Sequence, residues 1–105
     1  MITLRQTDRF SNWLKELKDQ QGKAQIIRRL KRLETDGNFG DFSSVGDDVS
    51  ELRIHAGPGY RVYYTRRVDQ VVILLCGGDK GSQDADIRLA KALAKETNYG
   101  NDPAL

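Results

Sequence analysis

The chain has one cysteine, one histidine, one tryptophan and two prolines among its 105 residues. A lone thiol, Cys76, makes no internal disulfide. With His55 as the single imidazole, no ligand pair stands at a diagnostic metal spacing, so no metal and no cofactor is expected. No apolar run approaches the length that crosses a bilayer, and no charged segment followed by an apolar run opens the sequence. These absences lead to the expectation of a soluble cytoplasmic protein without a membrane partner. Nothing ties His55 to a serine or cysteine as a nucleophilic triad requires. The run Gly77-Gly78-Asp79-Lys80-Gly81-Ser82 lacks the four-residue spacer and the adjacent Lys-Ser/Thr pair of a phosphate loop.

What is present suits one compact domain. Hydrophobic residues make up 38% and charged residues 30%, and a domain of this length buries about two thirds of its unfolded surface. Residues 1–98 are expected to form that domain and residues 99–105 a frayed tail. The net charge of +2 conceals a strong partition. Residues 1–33 carry nine bases against three acids, residues 34–51 six acids and no base, and residues 52–105 eight bases against six acids. Such asymmetry leaves room for an anionic and a basic partner.

Periodicity orders the elements. Ile2 to Gln6 alternates as a strand. Thr7 or Asp8 is placed to cap a helix carrying Phe10, Trp13, Leu14 and Leu17 on one stripe. Gln20-Gln21-Gly22 reads as a break, followed by a second helix from about Lys23 to Thr35 that Gly37 ends as a left-handed cap. The short connection predicts a helical hairpin. Residues 36–48 form an acidic, glycine-punctuated loop anchored by Phe39, Phe42 and Val45. Three strands follow, Val49–Ala56, Tyr60–Arg67 and Val71–Cys76, joined by turn-length segments into an antiparallel meander. Ser82 is a candidate cap for a last helix bearing Ile87, Ala90, Leu93 and Ala94. The class is α+β, in the order β-α-α-β-β-β-α, with the helices on one side of the sheet.

The polar residues of interest are cations on strands. If Ala56-Gly57-Pro58 forms the loop, Arg53 stands opposite Arg61 on one face. Like charges so placed repel, and a fold accepts them more readily when an anion lies between. Lys80 leaves the neighbouring strand at the same end of the sheet. The competing readings are that Arg53 pairs with Glu51 or a loop aspartate, and that Arg28, Arg29, Lys31 and Arg32 make an ordinary solvated face. Tyr60, Tyr63 and Tyr64 read as packing residues and Cys76 as a buried small apolar one.

The runs Glu51-Leu52-Arg53-Ile54, Gly57-Pro58-Gly59-Tyr60-Arg61-Val62-Tyr63-Tyr64 and Leu74-Leu75-Cys76-Gly77-Gly78-Asp79-Lys80, with Gln83 and Asp86-Ile87, resemble the RelE/ParE toxin superfamily. Within it they resemble the addiction-module killer proteins akin to HigB, as do Trp13-Leu14-Leu17 and Arg29-Leu30-Arg32-Leu33 upstream. The resemblance spans about residues 2–95. It implies the toxin of a type II toxin–antitoxin pair, a ribosome-associated endoribonuclease (an mRNA interferase) that arrests growth by cutting mRNA and blocking translation. Such enzymes use the RNA's own 2′-OH and no metal. By resemblance, Arg61 holds the scissile phosphate, Arg53 is a second phosphate clamp and Lys80 lies near the leaving group. The base is left open between His55 and Lys80, because this chain has Gln83, Asp84 and Asp86 where better-known members place an aromatic or histidine. Arg28, Lys31, Arg32 and Gln83 are the expected RNA contacts. The implied partners are the ribosome, mRNA and a small helix-turn-helix antitoxin. The superfamily also hosts ParE-like inhibitors of DNA gyrase, and an inactive toxin serving as co-repressor is a third possibility.

Overall fold

The apolar stripes and alternating runs assemble around a five-stranded sheet in a computed structural model that describes residues 2–97. The expected tail at 99–105 lies outside the described residues. Strand β1 (Thr3–Gln6) is followed by helices α1 (Asp8–Glu16) and α2 (Gln20–Asp36). Strands β2 (Phe42–Gly46), β3 (Val49–Ile54), β4 (Tyr60–Arg67) and β5 (Val71–Asp79) follow, then helix α3 (Gln83–Glu96). The spatial order is β1-β5-β4-β3-β2, with β1 parallel to β5 and every other pair antiparallel. The α+β class and the meander are as expected. No helix of the described residues is long and apolar enough to cross a membrane.

Four expectations are corrected. The acidic stretch is not all loop: Phe42–Gly46 adds a fourth meander strand, so the order becomes β-α-α-β-β-β-β-α. The break between the first helices falls at residues 17–19, because Asp19 accepts from the Gly22 amide and caps α2 three residues earlier than the glycine suggested. The helices are not confined to one side. Phe10, Ile26, Leu30 and Leu33 bury against Leu52, Ile54, Val62 and Leu74, whereas Ala90 and Ala94 of α3 bury against Val49, Tyr63, Ile73 and Cys76. Ser82 precedes α3 as expected but makes no capping hydrogen bond to its backbone, its hydroxyl going instead to the Asp86 carboxylate at 2.5 Å.

Strand β5 joins the two faces. It carries a bulge, for Tyr63 pairs with Cys76 and Tyr64 with Leu74, leaving Leu75 unmatched. Leu75 and Cys76 therefore both face α3. Beyond the bulge, Gly77 and Gly78 belong to the strand rather than to a phosphate-binding loop. A Cβ on Gly77 would collide with the Trp13 ring, and one on Gly78 would overlap the Asp86 carboxylate. The two glycines are what let α1 and α3 approach opposite faces of the same strand.

Candidate functional site

Side chains alternate along β3 and β4, so burying Leu52, Ile54, Tyr60 and Val62 under the α1–α2 layer turns Glu51, Arg53 and Arg61 toward α3. Arg53 and Arg61 are direct cross-strand partners, as expected. Between them lies Glu51. Its Oε2 is 3.6 Å from Arg53 Nε and 3.7 Å from Arg61 Nε. Its Oε1 accepts from Gln83 Nε2 at 3.0 Å. The Glu51 side chain is 6% exposed and that of Arg61 11%. Arg53 is also 3.5 Å from Asp41. The two cations thus have an internal counter-charge, and both competing partners considered for Arg53, Glu51 and an aspartate, are used.

The turn after β3 completes the site. Gly57 and Gly59 both have positive φ, +52° and +83°, a conformation that side-chain-bearing residues rarely adopt. Gly59 lies where a Cβ would stand 3.8 Å from both Arg61 Nη1 and the Lys80 Cβ. Its bare backbone leaves open a cleft of ≈ 400 Å³ lined by His55, Ala56, Gly57, Pro58, Gly59, Arg61 and Lys80. A second cleft of ≈ 430 Å³, lined by Lys80, Gln83, Asp84 and Arg88 among others, begins on the far side of Lys80. Lys80 is exposed and makes no ion pair among the described residues.

His55 lines the cleft while remaining 74% exposed, and its Nε2 meets Asp41 Oδ2 at 2.5 Å. That hydrogen bond is the main cause holding the Asp41 carboxyl below its usual range, with Arg53 and Arg29 adding to it. With Nε2–H donating to Asp41, Nδ1 is left as an acceptor. Tyr63 lies on the same face of the sheet, fully buried, and its hydroxyl has no hydrogen-bond partner. Burial and then the Glu51 charge raise its pKa. Cys76 is buried as expected, and desolvation pushes its thiol up to about 12.

Arg61, Lys80 and His55 therefore share one cleft, Arg53 adjoins Arg61, and Gln83 reaches the cluster through Glu51. Arg28, Lys31 and Arg32 do not join them. They line a separate depression of ≈ 570 Å³ along the outer side of α2 with Ala24, Ile27, Thr35 and Asp36. That surface lies across the sheet from α3. Arg29, read with them as a surface cation, turns inward instead. It donates to the carbonyls of Arg53 (2.6 Å), Phe39 (2.9 Å) and Asp41 (3.3 Å). The part played by Glu51 was foreshadowed only by its spacing, two residues before Arg53 on the same face of β3.

Three comparisons bear on this geometry. The model of the family described as Phage derived protein Gp49-like (DUF891) matches residues 12–96. A protein of Haemophilus influenzae, described as uncharacterised, is 53% identical over 95 residues, which cover 90% of this chain and 95% of that protein. Among solved structures, a mutant of the E. coli toxin RelE in the free state superposes with a TM-score of 0.68 at 15% identity. The match covers 91% of this chain and 98% of that one.

Proposed function

The chain belongs to the phage-derived Gp49-like family and has a RelE-like fold, and from that premise we propose that it is the toxin of a toxin–antitoxin pair. Within that class we assign it as a HigB-like, metal-independent endoribonuclease that cleaves mRNA on the ribosome. The observation that carries the reading is the cleft in which Arg61 and Lys80 flank Gly59, with Arg53 directly across the ladder.

The chemistry is an in-line displacement within the RNA. The 2′ oxygen attacks the adjacent phosphorus, the bond from phosphorus to the 5′ oxygen breaks, and the products are a 2′,3′-cyclic phosphate and a 5′-hydroxyl. His55 Nδ1 takes the 2′ proton, with Asp41 fixing the ring through Nε2 as an orienting carboxylate does. Arg61 offers its guanidinium edge to two non-bridging oxygens, where charge grows in the transition state. Lys80 supplies a proton or positive charge to the departing 5′ oxygen. Arg53 reinforces the phosphate contact, and Gln83 borders the path of the strand beyond Lys80. Arg28, Lys31 and Arg32, remote from the cleft, hold ribosomal RNA through its phosphates. An antitoxin of the helix-turn-helix type, encoded alongside, silences the toxin.

The test is induced expression of wild type and Arg61→Ala, followed by mapping of mRNA 5′ ends. Cleavage phased with the reading frame in wild type and absent from the variant is expected. Growth arrest with intact mRNA and altered DNA supercoiling would overturn the assignment in favour of gyrase inhibition.

A further inference from the structure

Two arginines standing directly opposite each other on a ladder repel, and withdrawing one of them from water worsens the repulsion. The pair persists because Glu51 sits between them. We propose that Glu51 is a positioning residue that holds the guanidiniums of Arg53 and Arg61 in register for phosphate, a role that rests on the cleavage reading above. Its carboxylate lies against the Nε of each arginine. That choice of atom matters. An arginine held at Nε keeps its two Nη groups unspent, and Arg61 Nη1 lies beside the place a Gly59 side chain would fill, at the wall of the cleft.

The hold is Coulombic. Neither Nε makes a hydrogen bond although both are buried, and the distances of 3.6 and 3.7 Å exceed hydrogen-bonding range. Orientation therefore depends on where the carboxylate itself is fixed, and Gln83 does that. The Nε2–Oε1 bond of 3.0 Å ties Glu51 to the first residue of α3. The chain of contacts runs from α3 through Gln83 and Glu51 to two phosphate ligands. Glu51 itself does not line the cleft and touches no substrate.

A simple charge effect and a positioning role predict opposite results. Removing a negative charge beside an anion site strengthens RNA binding. Loosening the guanidiniums slows chemistry, since a misplacement of about 1 Å costs on the order of 100-fold. The full-length Glu51→Gln protein is therefore expected to show kcat lowered roughly 10- to 100-fold with KM unchanged or lower. Glu51→Asp, which keeps the charge on a shorter arm, is expected to fall between. The side-chain Nε–Hε NMR signals of Arg53 and Arg61 provide a readout independent of cleavage. Both are expected in wild type and broadened or lost in Glu51→Gln, while the backbone amide spectrum shows an intact fold.

Unchanged Hε signals in Glu51→Gln would overturn the proposal. So would a kcat equal to or above wild type, which would make Glu51 only a competing charge. Loss of the backbone spectrum in Glu51→Gln shifts the test to Glu51→Asp, where the same two readouts apply. Full toxicity of Arg61→Ala with mRNA left intact would defeat the cleavage reading instead, and the Hε signals of wild type and Glu51→Gln would still decide whether Glu51 orients the arginines.

Discussion

The cations on the outer side of α2 and those on the β3–β4 ladder lie on opposite sides of the sheet and are held in opposite ways. Arg28, Lys31 and Arg32 are exposed and spaced along a helix, Arg28 donating to Gln25 at 3.2 Å. Arg53 and Arg61 are fixed across a strand pair, and Arg61 is withdrawn from water beside a buried carboxylate. A phosphate approaching α2 meets solvated charges in high dielectric, each contributing little beyond counterion release. One entering the cleft meets an oriented guanidinium whose reorganisation was completed when the protein folded. Arg29 marks the boundary between the two groups. It is placed on α2, but three backbone carbonyls take up its donors, so it serves the ladder's geometry and not the surface charge.

The contrast is broken most sharply at Arg61. Arg61→Ala is expected to lower kcat/KM about 10²–10³-fold with the fold intact, and Arg61→Lys to recover little of it, because a point charge lacks the planar fork. Arg29→Ala is expected to act on stability, by about 2 kcal/mol in chemical denaturation, since the carbonyls of Phe39, Asp41 and Arg53 lose a charged donor. Replacing Arg28, Lys31 and Arg32 together by alanine is expected to leave single-turnover cleavage of a short free RNA unchanged. Ribosome association should weaken, with the slope of log K against log salt flattening by about 0.7 for each phosphate contact removed. A fall in cleavage of the free RNA would show that the two groups form one surface.

A smaller effect concerns the other face of β4, under the α1–α2 layer. Tyr60, next to Arg61, donates to Asp19 at 2.8 Å. Burial first and that carboxylate second push its phenol up from 10 to about 12. The folded state therefore holds the Tyr60 proton more tightly than the unfolded chain does. The resulting stabilisation is fully present below pH 10 and is lost as the pH rises toward 12. Thermal melts of Tyr60→Phe should lack that part of the alkaline decline.

Much of this architecture could be read from residue order. β3, β4 and β5 alternate or run apolar between unmistakable turns, and Arg53 facing Arg61 follows once the turn is centred on Gly57. β2 escaped because Phe42-Ser43-Ser44-Val45-Gly46 is short, polar and flanked by aspartates, as an edge strand exposed on its outer side can be. Which face α3 covers is set by the bulge at Leu75 and by the approach of Asp86 over Gly78, and neither leaves a mark in periodicity. For the same reason Glu51 could be named as a partner of Arg53 but not as a buried one. Its burial is made by α3, which lies some thirty residues later in the sequence. The α2 cations were legible as a charged row, but their separation from the cleft required the sheet to be in place.

The parallel pairing of β1 with β5 has a consequence for the order in which the molecule comes into being. Thr3 finds its ladder partner at Val71 and Gln6 at Leu74, so the first strand of the sheet has no partner until the last is in place. Closing so large a loop carries an entropy cost that the pairing must offset. Lys80 and Gln83 lie beyond even that point. A nascent chain carrying Arg53 and Arg61 therefore has two arginines, but neither a completed sheet nor an α3 to set Glu51 between them.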